Sequence, residues 1–110
     1  MKVISTNRKA PFSYHLITKY EAGIELKGSE VKAIREGKAN IKESFVRIID
    51  NELFIVGMHI GEYSHSGYTS HEPSRTRKLL MHKSEIYKLY KDSENKGKTI
   101  IPVKLYFKNN

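Results

Sequence analysis

Residues 12–26 alternate with a period of two. Phe12, Tyr14, Leu16, Thr18, Tyr20, Ala22, Ile24 and Leu26 fall on one parity. Ser13, His15, Lys19, Glu21, Gly23 and Glu25 fall on the other, with Ile17 the exception. Successive side chains of a strand point to opposite faces, so this run predicts a strand with one buried face. It is far longer than the usual strand of about 5–6 residues, so a bend is expected, and Gly23 is the natural place for it. A long bent strand that serves two sides is typical of a small barrel.

The rest of the chain supplies short partners for it. Within residues 21–44, Ser29 is the expected N-cap of a helix over 29–36, with Glu30 in its first turn, where the helix dipole favours an acid. Val31 and Ile34 form a narrow apolar stripe, Lys32, Arg35 and Lys38 face water, and Gly37 is the expected left-handed stop. A helix of two turns does not hold itself together, so it must dock on a sheet, which would hold its basic face rigidly. Residues 41–49 read as a second strand, Asp50-Asn51 as a tight turn, and 53–60 as a third strand with Phe54, Val56, Met58 and Ile60 on one face. Residues 61–74 lack periodicity and read as a long loop. Ser84 is the expected cap of a helix to about residue 95, with Ile86, Leu89 and Tyr90 buried, Lys91 and Lys96 near its C-terminal end and Gly97 as its stop. Residues 99–107 read as a last strand with Ile101, Val103, Leu105 and Phe107 inward, and Pro102 implies a free edge or a bulge.

Four strands, two helices and no internal repeat leave too few βα units for a doubly wound sheet. The predicted fold class is mainly β with short helices: a small antiparallel barrel of the oligonucleotide-binding type with helices at its rim. Residues 1–11 are expected to be a flexible basic arm and 12–110 a single RNA-binding domain of that type, a size that suits one core.

Composition narrows the function. Twenty Lys and Arg against twelve Asp and Glu give a net charge of +8, which points to a polyanion partner, nucleic acid first. The sequence has no cysteine, which excludes disulfides and thiolate metal sites and agrees with a reducing, cytoplasmic compartment. No apolar run reaches the roughly 18 residues of a membrane span, and the first residues lack an apolar signal core. The five histidines, His15, His59, His65, His71 and His82, show no metal-ligand spacing and no accompanying carboxylate cluster, so neither a metal nor a cofactor is expected. No nucleophile elbow, Walker loop or dinucleotide fingerprint occurs, and carboxylate pairs such as Glu21/Glu25 read as solvated surface, so an enzyme is not expected.

The segment 75–83 is the sharper signal. Arg75, Arg77, Lys78 and Lys83 place four cations in nine residues without an acid. Such charges repel one another unless an anion neutralises them, and arginines can bridge phosphate oxygens with two N–H groups. A solvated loop is the plainer alternative. Tyr63, Tyr68, His65 and His82 flank this segment and could stack on unpaired bases, although loop tyrosines often only pack.

Two stretches, EAGIELKGSEVKAIREGKANIKESF (21–45) and EPSRTRKLLMHKSEI (72–86), resemble the two signatures of the SmpB family, the tmRNA-binding proteins of bacterial trans-translation. NRKAPFSYHL (7–16), MHI (58–60) and PVKLYFKN (102–109) also match, so the likeness covers nearly the whole chain. The resemblance implies an oligonucleotide-binding-type barrel that binds the tRNA-like domain of tmRNA and brings it to stalled ribosomes, as a monomer and without catalysis. The family's RNA-critical positions correspond to Glu21, Leu80 and His82, the last standing where several relatives have asparagine. A carboxylate repels phosphates, so Glu21 is expected to accept from base donors or to orient a nearby arginine. Glu30, Lys32, Asn40, Arg75, Arg77 and Lys78 match motif residues. By their chemistry they join Arg35, Lys38 and Lys83 as expected RNA contacts, the helix and the basic loop together forming one RNA surface. Family members continue past the YFKN motif with further strands and a basic tail, so a shortened chain or the ordered core of a longer protein is expected. The alternative reading is a generic barrel for ribosomal or single-stranded RNA without tmRNA specificity.

Overall fold

The structure is a computed structural model that describes residues 1–7, 19–64, 71–94 and 99–108. The expected hairpin is present. Asp50 and Asn51 have φ of 51° and 64° and join strands β4 (Phe45–Ile49) and β5 (Glu52–Val56), which pair antiparallel. Two consecutive left-handed residues match the twist of a tight hairpin, and Asp and Asn tolerate that conformation.

The third strand breaks where the sequence suggests continuity. Gly57 has φ +83°, and a Cβ there would lie 2.9 Å from the Glu43 carbonyl oxygen, so only glycine fits. The chain resumes as β6 (His59–Ile60), which pairs with β3 (Ala39–Asn40). The break reverses the parity. Leu53 and Ile55 are buried before it and Met58 and Ile60 after it, while Phe54 and Val56 are half-buried. The expected common face of Phe54, Val56, Met58 and Ile60 is therefore corrected: one left-handed residue moves every later side chain to the other side. The expected strand 41–49 is also shorter, with only residues 45–49 in β4. Asn40 Oδ1 accepts from the Lys42 N–H at 2.8 Å, and the Ser44 hydroxyl donates to the Ile41 carbonyl at 2.6 Å, closing a turn between β3 and β4.

Strand β7 (Arg77–Leu80) pairs with both β5 and β2 (Gly23–Ile24), giving an antiparallel sheet in the order β2-β7-β5-β4. The expected long strand is short here, and residues 12–18 lie outside the described set. The predicted mobile arm is corrected over its first residues. Lys2–Thr6 form β1, paired antiparallel with β8 (Lys104–Phe107), with an irregularity between Val3 and Ser5. A bridge between Val46 and Ile100, and a hydrogen bond from the Ile41 N–H to Ser5 Oγ, tie the sheets together. The mainly-β, antiparallel class with two short helices is as predicted, although the ladders do not run continuously round a barrel among the described residues.

Helix α1 (Gly28–Arg35) buries Ala33 and Ile34 against Ile41, Leu53, Ile55, Met58, Ile60 and Leu79. Burying one such isoleucine is worth about 1.5–3 kcal/mol, which a helix this short needs. Gly37, at φ +79°, ends it as expected. Helix α2 (Lys83–Glu94) inserts Ile86 and, partly, Leu89. Tyr90 is 44% exposed rather than buried, and Ser84 lies inside the helix, whose first turn is closed on the His82 carbonyl. The expected stop at 95–97 is outside the described residues. A cleft of about 1200 Å³ has residues 19–24 and 99–108 in its lining, together with core side chains such as Ile55 and Leu79.

Candidate nucleic-acid interface

Glu30 is the buried anchor of the site. It is fully buried in the first turn of α1, and its carboxylate accepts the Lys27 N–H at 2.7 Å. That bond caps the helix, so Glu30 takes the role that the sequence suggested for Ser29. Arg75 donates to it from Nη2 at 2.6 Å and from Nε at 3.2 Å, and Arg77 from Nε at 2.5 Å. Arg77, also fully buried, sends its remaining groups to the carbonyls of Met58, Glu72 and Pro73. Burial pushes the Glu30 carboxyl up, but the bonds from Arg75, the Lys27 backbone and Arg77 outweigh it and hold the group at about 2, below its ordinary 4.5. The Arg75 guanidinium is raised in turn by its hydrogen bonds to Glu30.

This cluster corrects the reading of 75–83 as an exposed basic loop. The anion that neutralises its arginines is Glu30 of the same chain. Glu30 and Arg77, both expected to contact RNA, have no exposed surface, so their work is to fasten β7 to α1 and to the turn at 72–73. Arg75 keeps partial exposure, with 29% of its side chain open. Lys78, half-buried, is 3.6 Å from Glu52. His71 completes the fastening. Its Nε2 donates to the Ile60 carbonyl at 2.9 Å, which can only accept, and its Nδ1 is hydrogen-bonded to the Ser29 hydroxyl at 2.9 Å. His71 is therefore structural, while His65 and Tyr68 lie outside the described residues.

The exposed members fall into two groups. On α1, Lys32 lies over the Tyr63 ring at 5.5 Å and Arg35 over the Phe107 ring at 6.0 Å. Lys38 contacts Glu36 at 3.1 Å and the Glu62 carbonyl at 3.2 Å. The Glu36 carboxyl is lowered, chiefly by the Ser64 hydroxyl bond, against a smaller opposing effect of burial and with help from Lys38. Asn40 is exposed beyond the helix, its Oδ1 held in the turn described above.

The second group lies along the β2–β7 edge. Leu80 is paired with Gly23 and is 47% exposed, and a Cβ on Gly23 would come within 3.5 Å of the Leu80 Cβ. The absent side chain leaves Leu80 uncovered. The β2–β7 ladder ends at Gly23↔Leu80, and Glu21 and His82 each lie two residues beyond it, one on either chain segment. Glu21, Leu80, His82 and Lys83 are all exposed, so an apolar platform is flanked by an acid, an imidazole and a cation. The buried neighbours Arg77 and Leu79 point the other way, as strand alternation requires. Sequence reasoning missed Lys108, whose Nζ lies 2.9 Å from Glu21 Oε1. The partners are 87 residues apart, and no local pattern in the sequence links them.

Comparison with known proteins identifies the family. The "SsrA-binding protein" of Carboxydothermus hydrogenoformans is 53% identical over 109 residues, which cover 99% of this chain and 73% of the relative. That of Koribacter versatilis is 50% identical over 105 residues, 96% of this chain and 60% of the relative. That of Persephonella marina is 53% identical over 109 residues, 99% and 72%. The chain thus spans between 60% and 73% of the length of these three relatives. A solved structure described as "tmRNA-SmpB: a journey to the center of the bacterial ribosome" superposes with a TM-score of 0.76 at 43% identity, covering 94% of this chain and 73% of that one. The SmpB protein family profile matches residues 4–110, and the chain belongs to that family.

Proposed function

We propose that this chain binds tmRNA through its tRNA-like domain and acts as an adaptor that brings it to stalled ribosomes, with no catalytic step of its own. The observation that carries this reading is the bare Leu80 platform, with Glu21 and His82 each two residues beyond the Gly23↔Leu80 pair, on an inner strand, β7, fastened from behind by the Glu30 cluster. Rigid presentation of an apolar surface with polar neighbours suits an unstacked base in a folded RNA loop. The relatives are named for binding SsrA, and the ribosome in the neighbouring structure's description supports the second partner. No helix among the described residues is long and apolar enough to cross a membrane, and a ribosomal partner implies a cytoplasmic site of action for a chain read as a monomer.

On this reading Leu80 and His82 line the contact, Glu21, Lys83 and Lys78 stand beside it, and Lys32, Arg35, Lys38 and Asn40 form a separate basic face on and beyond α1. The test is competition. Labelled tRNA-like domain is bound at fixed salt and challenged with unlabelled tRNA-like domain or an unrelated hairpin of equal length. Preference for the tRNA-like domain, lost in Leu80→Ala, is expected. Equal competition by the hairpin would replace this reading with that of a generic RNA-binding barrel.

A further inference from the structure

Strand β8 carries a pattern that the site above does not use. Lys104 and Tyr106 share one parity, about 6.7 Å apart along the strand, and Lys108 follows directly after its last residue. Leu105 and Phe107, on the other parity, pack on the core. Lys104 and Lys108 are exposed, Tyr106 is half-buried, and Val3, its partner on β1, is 45% exposed. Lys104 has no acidic partner among the described residues. Lys108 has Glu21, and that pair links the segment after β8 to the segment before β2 where both line the cleft. The strip is therefore continuous with the Glu21–Leu80–His82 edge.

An exposed pair of this kind is worth only about 0–1 kcal/mol, so stability does not explain it. The Lys108 and Glu21 side chains are 70% and 54% exposed. What the pair does is restrain a long, flexible ammonium at one place beside the Leu80 platform. We propose that Lys104 and Lys108 form a phosphate-backbone track along β8 and its C-terminal end, and that Glu21 is a positioning residue that aims Lys108 at the RNA rather than touching it. The occupant is the sugar-phosphate chain of the RNA that reaches Leu80. Its charge complements the two lysines, and Tyr106 between them offers a flat surface to the sugar or base. This gives Glu21 a role that needs no carboxylate facing a phosphate. The inference rests on the RNA-binding reading above and adds to it which groups touch the backbone.

The test uses the full chain, a transcript of the tRNA-like domain, an unrelated hairpin, and binding titrations from low to moderate salt. Lys104→Ala and Lys108→Ala should each weaken binding about three- to tenfold and flatten the plot of log K against log salt by about 0.7–0.9, one phosphate contact each. Their melting temperatures should match that of the starting protein, because both residues are exposed. Glu21→Gln should weaken binding on its own but add nothing in the Lys108→Ala background, as expected of a residue that acts through another. Unchanged slopes in both lysine variants overturn the track. A full, additive loss from Glu21→Gln in the Lys108→Ala background overturns the positioning role. If the starting protein does not prefer the tRNA-like domain, the tmRNA reading fails instead, and the slopes measured with the hairpin still decide the track.

Discussion

Glu30→Gln should be among the most damaging exchanges of similar size in this protein, although it removes only a charge. The carboxylate receives four N–H groups: one from Lys27, two from Arg75 and one from Arg77. A glutamine offers one carbonyl oxygen and turns an NH2 group towards donors. Arg75 can swing into water, since 29% of its side chain is already open. Arg77 cannot, because it has no exposed surface and is held by three carbonyls. Its guanidinium would remain charged and buried without a counter-ion. Breaking a buried pair in this way costs about 3–5 kcal/mol, and loss of the Lys27 cap adds to it. A domain of this size is stable by about 5–15 kcal/mol, so the variant would be near its limit.

Urea unfolding followed by far-ultraviolet circular dichroism measures this. With a slope of about 1.5–2 kcal/mol/M, the midpoint should fall by roughly 1.5–3 M. Arg75→Ala should cost far less, because Glu30 keeps Arg77. The paired exchange Glu30→Met with Arg77→Met should be milder than Glu30→Gln, since it leaves no unpaired charge inside. A Glu30→Gln midpoint within 0.3 M of the starting protein, by the slope above about 0.5 kcal/mol, would refute the claim that this cluster fastens β7 to α1.

Acid should expose the same cluster: the Glu30 carboxyl titrates at about 2 in the folded protein, below its ordinary 4.5, so the unfolded chain binds the extra proton. Its stabilisation is complete above about pH 4.5 and declines as the pH falls towards 2, and Glu30→Gln should remove that part of the slope in urea midpoints measured across this range. Gly57→Ala should lower the melting midpoint more than Gly37→Ala. Both have positive φ, but a Cβ on Gly57 meets the Glu43 carbonyl at 2.9 Å and one on Gly37 meets nothing within 4 Å; expected costs are about 2–3 against about 1 kcal/mol, and equal midpoints would refute the close approach. Leu80→Ala should weaken RNA binding about five- to thirtyfold, as loss of one stacked base would, while leaving the urea midpoint nearly unchanged; a midpoint shift without a binding loss would make Leu80 a packing residue.

The sequence disclosed local conformation well and long-range partners poorly. Asp50-Asn51 and Gly37 specify backbone angles that few other residues adopt, so the hairpin and the end of α1 were legible from those positions alone. Gly57 was not, because its need for glycine comes from the Glu43 carbonyl, fourteen residues away and visible only once the turn at 42–43 has formed. The parity error at Phe54 and Val56 follows directly, since a run read as one strand cannot show where its register reverses. The strand formed by residues 2–6 was missed for a related reason: β1 is held by β8, about a hundred residues later, and its five residues are too few to show an alternation.

The same distinction explains the site. Counting charges in 75–83 treated Arg75, Arg77, Lys78 and Lys83 as four equivalent cations, whereas folding sorts them by strand parity and by a distant acid. Arg77 has inward parity and meets Glu30, so it is consumed by the fold. Leu80 has outward parity on the same strand and is left bare by Gly23, so an apolar residue becomes the more promising contact. Glu21, an acid in a basic protein, gains a purpose only when Lys108 arrives beside it. An RNA surface on this chain is therefore not the sum of its lysines and arginines. It is what remains after the fold has neutralised the cations it needs for itself, and on that basis the residues to test are those that still lack a partner, or whose partner leaves them exposed.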